Sequence, residues 1–155
     1  MTYMPNSQGI RAAVFGTKVE RATAALPSST LGNVFTVSGG RVAITSLVGE
    51  VTTVLGAGAN TVTIGYAPTV GTGSATALGT SATITTAAVG SHMAAVPGGA
   101  VAIDVSTQAG VPLPAFGFLV DPGSVTITTT ATVTGSVKWT ITYVPIDDAA
   151  TVVAA

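Results

Sequence analysis

The sequence has 155 residues, 47% hydrophobic, 7% charged and 5% aromatic, with a formal net charge of −1 and no Cys. That length fits one domain able to bury a core without staples. The charged fraction lies far below the usual share of about a quarter, which excludes charge-driven disorder. Five basic residues cannot form the stripe that an electrostatic nucleic-acid binder needs. A chain without Cys has neither a disulfide frame nor a thiolate metal site.

Mean hydropathy is +0.65, yet Thr, Ser and Gly interrupt every apolar run before the ~18 residues of a membrane helix. Met1 to Gln8 shows no basic region followed by an apolar stretch, so no secretory signal is expected.

The first 29 residues read as an arm or edge segment lying outside the core. Arg11, Lys18 and Arg21 are three of the five basic residues, and the apolar positions follow no period of two. Pro5 and Pro27 discourage regular structure at either end. Ala12 to Ala25 is the one stretch that could be helical, and its apolar spacing is poor. Tyr3, Arg11, Lys18 and Arg21 are the candidate docking residues of this arm.

From residue 30 to 155 the sequence predicts a single all-β domain, an antiparallel sandwich or jelly-roll-like barrel. Thr and Val dominate, and both suit a pleated surface better than a helix. Phe35 and Val37 alternate with Thr36 and Ser38, then come Gly39-Gly40, Val42 and Ile44. A two-residue hairpin would pair Val37 with Val42 and Phe35 with Ile44 on one face. The phase slips after Ile44, which predicts a bulge near Ser46 or Gly49. Thr61–Tyr66, Ser81–Thr85, Ala100–Val105 and Phe116–Val120 read as further strands. Gly71-Thr-Gly-Ser, Pro97-Gly-Gly and Asp121-Pro-Gly mark turns. At the C-terminal end, Val125 to Val133 and then Val137, Trp139, Ile141 and Tyr143 alternate with Thr and Lys. Parity selects a three-residue loop, Thr134-Gly-Ser136, that sets Ala131 opposite Trp139. Trp139 is therefore expected to be buried over Ala131.

Candidates for chemistry are few. His92 is the lone imidazole, has no partner nearby in sequence, and reads as a loop or surface residue. Asp147 and Asp148, adjacent after Pro145, point to different sides of an extended chain. They read as solvated or turn-capping, with a salt bridge to a neighbouring subunit as the alternative. Gly71 to Gly79 lacks the Lys and the strand–loop–helix setting of a phosphate loop. No Gly-x-Ser-x-Gly elbow occurs. No catalytic, cofactor or metal residue is expected.

Two stretches carry a resemblance. One is Lys18-Val-Glu-Arg-Ala-Thr-Ala-Ala-Leu-Pro with Val34-Phe-Thr-Val-Ser-Gly-Gly-Arg-Val-Ala-Ile-Thr-Ser-Leu-Val-Gly-Glu-Val-Thr-Thr-Val. The other is Thr134-Gly-Ser-Val-Lys-Trp-Thr-Ile-Thr-Tyr-Val-Pro-Ile-Asp-Asp-Ala-Ala-Thr-Val-Val. Together they resemble small proteins encoded among the virion structural genes of tailed double-stranded-DNA bacteriophages. Ile146 and Ala149 stand where that ending more commonly has Leu and Gly, and Ala149 argues against a tight turn. Residues 67–118 match only in general character.

The resemblance implies no catalytic activity and no cofactor. It implies a virion protein, a capsid cement (decoration) protein that binds the major capsid protein on the outer head surface. Such a protein is a β-rich homotrimer near local threefold axes, made in the bacterial host cytoplasm. The apolar composition likewise leads us to expect self-association. A tail or head-fibre subunit and a carbohydrate- or surface-binding sandwich are the competing readings.

Overall fold

The computed structural model describes residues 16–71, 75–78, 81–95 and 117–155, and the main chain of 103–106. Strands run throughout these residues, and there is no helix among them. In chain order they are β1 (Thr17–Ala25), β2 (Leu31–Ser38), β3 (Val42–Thr53), β4 (Thr61–Pro68), β5 (Thr76–Ala77) and β6 (Ala82–Thr83). Then follow β7 (His92–Ala95), β8 (Ile103–Ser106), β9 (Phe118–Val120), β10 (Gly123–Thr129), β11 (Ser136–Pro145) and β12 (Thr151–Ala154).

They form two antiparallel sheets. The first has the order β1-β11-β3-β7-β8, with β9 also on β3; the second has β12-β2-β10-β4-β5, with β6 also on β4. The sheets pack into a β-sandwich, so the all-β expectation holds. The chain crosses from one sheet to the other between β1 and β2, β2 and β3, β3 and β4, β6 and β7, β9 and β10, β10 and β11, and β11 and β12.

These crossings correct both expected hairpins. Phe35 and Val37 belong to the second sheet, Val42 and Ile44 to the first, so they do not pair. All four are buried nonetheless. Matching parity is satisfied equally by two strands of one sheet and by two strands facing each other across a core, because both turn their apolar side inward. The same ambiguity defeats the pairing of Ala131 with Trp139. Strand β10 pairs with β2 and β4, whereas β11 pairs with β1 and β3. Trp139 is buried, as expected, but its register partner is Gly49. A Cβ built on Gly49 would lie 2.8 Å from the indole ring. The glycine leaves the room that the largest core side chain occupies. Tyr143 is buried on the same face, beside Ile44.

The phase slip after Ile44 is a bulge. Thr142 opposes Ser46 and Tyr143 opposes Ile44, leaving Thr45 as the extra residue. Its hydroxyl lies 2.8 Å from the Thr142 hydroxyl and 3.2 Å from the Thr142 carbonyl. A second irregularity leaves Thr52 extra, and the Thr52 hydroxyl donates to the Ser136 carbonyl.

The segment 17–25 is not an arm outside the β core. It is an edge strand, pairing with β11 from Thr17↔Tyr143 to Ala25↔Ser136 with one irregularity between Arg21 and Ala24. An edge strand buries little of itself, so its alternation is dilute, and Lys and Glu on such a strand guard it against mispairing. That is why its pattern is hard to read. Residues 1–15, with Tyr3 and Arg11, lie outside the described residues.

The strands expected at Thr61–Tyr66 and Phe116–Val120 correspond to β4 and β9. Those at Ser81–Thr85 and Ala100–Val105 correspond to the short β6 and to β8. The Asp121-Pro-Gly turn joins β9 to β10. The Pro97-Gly-Gly turn and residues 72–74 lie outside the described residues.

Asn60, just before β4, is a buried polar hub. Its Nδ2 donates to the Ala131 carbonyl at 2.8 Å, and its Oδ1 accepts from the Thr130 and Ala131 amides. It ties the chain leaving β10 to the start of β4.

The Gly39-Gly40 turn is closed from outside by the chain between β11 and β12. Gly39 has φ +76°, and a Cβ there would collide with the Ala149 carbonyl oxygen. Gly39→Ala is therefore expected to cost at least about 1–2 kcal/mol from the left-handed backbone alone, read as a lowered denaturation midpoint. The tight turn forms despite Ala149, with the Ala150 amide bonded to the Asp147 carbonyl at 2.9 Å.

Candidate docking surfaces

Arg41 and Asp147 make a bidentate clip at this end of the sandwich. The Arg41 guanidinium donates through Nε to Asp147 Oδ2 at 3.1 Å and through a terminal amino group to Oδ1 at 3.0 Å. The Arg41 amide also donates to Oδ2 at 2.7 Å. Asp147 thus caps a turn, as one sequence reading held, and it forms an ion pair with Arg41 of its own chain. These hydrogen bonds hold its carboxyl down at about 2, and the carboxylate raises Arg41 in return.

The sign of the pH effect follows. A carboxyl whose folded value lies below its ordinary 3.8 binds its proton more readily in the unfolded chain. The clip's contribution is fully present above about pH 4 and fades as pH falls towards 2. Denaturation of the parent and of Asp147→Asn is therefore expected to differ at pH 6 and to converge near pH 2.

On the outer face of the first sheet, Glu20 of β1 bridges Lys18 and Lys138, each at 3.1 Å. Hydrogen bonds from Lys138 and then Lys18 lower its carboxyl. Lys18 is thus engaged within its own sheet. Arg21 faces the other way, level with Trp139, and its Nε donates to the Ala155 carbonyl at 3.0 Å. The structure therefore separates Lys18 and Arg21 onto opposite faces of β1 instead of joining them in one basic patch.

Arg21 lines a cleft of about 220 Å³ at the open edge between the sheets, with Leu26, Pro27, Asn33, Ile127 and Trp139. A second groove of about 230 Å³ lies on the outer face of the second sheet, among Leu31, Thr63, Gly65, Thr76, Thr126 and Thr128. His92 sits on β7, not in a loop. It opposes Glu50, and its Nδ1 is buried with no hydrogen-bond partner among the described residues. Tyr66 donates its hydroxyl to the Asp121 carbonyl. Burial and the charge of Asp121 push that phenol up to about 12. Among the described residues, no group of three or more His, Asp or Glu could hold one metal ion. No described helix is long and apolar enough to cross a membrane.

The feature that sequence reasoning missed is an apolar row. Val144, Ala43 and Leu119 are register neighbours across β11, β3 and β9. Their strand neighbours Tyr143, Ile44 and Val120 point into the core, so the row points outward. Leu119 is 65% exposed, Val144 37%, and Ile146 just beyond β11 49%. The strand order brings these residues together; their spacing in sequence carries no sign of it.

No protein-family model matches this chain, and neither a curated protein nor a solved structure is detectably similar to it.

Proposed function

We propose that this chain is a non-enzymatic structural protein of a tailed-phage virion, a capsid cement protein. In this reading it binds the major capsid protein on the outer head surface and associates with itself, as a homotrimer on the shell. The observation that carries the reading is the outward apolar row on a charge-poor sandwich. Large hydrophobic side chains exposed together on a sheet face mark contact surfaces. The two stretches that resemble virion proteins contribute β1, β2, β3 and β11 with the Arg41–Asp147 clip. They therefore coincide with the frame on which the row is built.

A cement subunit stabilises the assembled shell by binding that state alone. It needs contact area and rigidity, which a two-sheet sandwich supplies. Residues 1–15, with Tyr3 and Arg11, are the part of the docking arm that remains once β1 is assigned to the sheet. A sugar-binding reading has less support. Trp139 is 1% exposed and cannot stack on a ligand from outside.

Location in particles separates head from tail. Heads and tails purified separately from the phage that encodes this chain, and labelled with an antibody to it, are expected to show label on heads only. Label confined to tails, or absent from both, would overturn the assignment.

A further inference from the structure

The outer face of the first sheet is complementary to itself. Its outward positions form a grid fixed by strand register. Going along the strands, Val144 lies beside Ala43, Thr142 beside Ser46, Thr140 beside Val48, and Lys138 beside Glu50. In each of these four pairs the first residue is on β11 and the second on β3. Leu119 lies one strand further out beside Ala43. On the opposite side Gly16 immediately precedes Thr17, which pairs with Tyr143, so Gly16 stands at the height of Val144.

We propose that two copies of this chain pack these faces together about a two-fold axis. The axis runs along the strands, midway between β11 and β3. The inference rests on the reading of the protein as one that associates with itself. The symmetry operation exchanges the two columns. Each β11 residue of one copy then faces the β3 residue at the same height in the other.

The consequences are specific. Val144 meets the alanine at 43, the smaller residue of its row, and Leu119 meets the height of Gly16, where no side chain projects. Lys138, which also bridges Glu20 of its own sheet, meets Glu50, and no like charges are superposed between these two columns. Glu50 makes no ion pair among the described residues, so it is available to the second copy. Stacked sheets lie about 10 Å apart and cross at about 30°. Lys and Glu side chains at the far end are long enough to absorb the resulting offset. Moving the axis by one strand in either direction would lose both the Lys–Glu match and the Val–Ala match.

A two-fold contact cannot close a trimer. If threefold clusters form on a shell, this contact joins clusters and does not build them. For the full chain free in solution we therefore expect a dimer in sedimentation equilibrium at micromolar concentration.

Leu119→Asp and Val144→Asp each place a charge in the apolar row. Either is expected to weaken dimerisation at least about tenfold, with the β circular-dichroism spectrum and melting temperature kept. Lys138→Glu and Glu50→Lys are each expected to weaken it, and the double reversal to recover only part of the loss, because it also breaks the Lys138–Glu20 bridge within each copy. A trimer without dimers would overturn this contact and leave self-association standing. A monomer that still labels phage heads would overturn the contact and leave the cement assignment standing. Dimers indifferent to both Asp variants and to charge reversal would also overturn it.

Discussion

Trp139→Ala is expected to lower the stability of this protein by about 3–5 kcal/mol, the range for removing a large buried aromatic. Trp139 is the largest fully buried side chain among the described residues, at the centre of a strand paired on both sides. For a domain of this size that loss corresponds to roughly 2–4 °C of melting temperature per kcal/mol. The register supplies the control. Gly49→Ala puts a methyl against the indole and is expected to cost about 1–3 kcal/mol by overpacking. Ala131→Leu, away from the indole, is expected to cost less than Gly49→Ala. The reverse order in chemical denaturation would restore the hairpin register.

Asn60→Ala has the second-largest expected effect. The substitution removes the side-chain partner of the Ala131 amide outright, and leaves the Thr130 amide with only the Thr61 carbonyl at 3.2 Å and the Ala131 carbonyl with only the Ser29 amide at 3.4 Å. Stranding a backbone group costs about 1–3 kcal/mol, less where water reaches it, and a weakened partner adds a smaller loss. A total of about 2–3 kcal/mol is expected on that principle. Asn60→Asp keeps the acceptor, loses the donor and buries a charge. It is expected to be nearly as damaging at pH 7 and to recover partly at acidic pH, where the carboxyl regains a proton. An Asn60→Ala variant that unfolds like the parent would show that the hub contributes nothing.

The fold class was legible because period-two alternation of Val, Ile and Phe against Thr survives in almost every strand. The core membership of Phe35, Val37, Val42, Ile44, Trp139 and Tyr143 was legible for the same reason. The bulge at Thr45 announced itself as a change of parity between Ile44 and Leu47. Which strands are neighbours was not legible. Alternation records which face is apolar, not which sheet owns it, and the short connections at Gly39-Gly40 and at 130–135 both cross the core. β12 went unseen because four residues are too few to establish a period. β1 was hidden by having only part of one face to bury. The apolar row depends entirely on strand order, since Ala43, Leu119 and Val144 come from three remote parts of the chain. The Arg41–Asp147 clip spans 106 positions, and only folding brings its ends together.

The central claim is that this sandwich acts by reinforcing a phage head. Its most direct test adds the purified full chain to heads of the encoding phage that lack it. Occupancy and the temperature at which the heads rupture are then measured together. Saturable binding at a fixed stoichiometry, with a raised rupture temperature, is the predicted result, weakened when residues 1–15 are deleted while β1 is kept. Heads that leave the protein unbound, or that bind it to saturation and rupture at an unchanged temperature, would contradict the account.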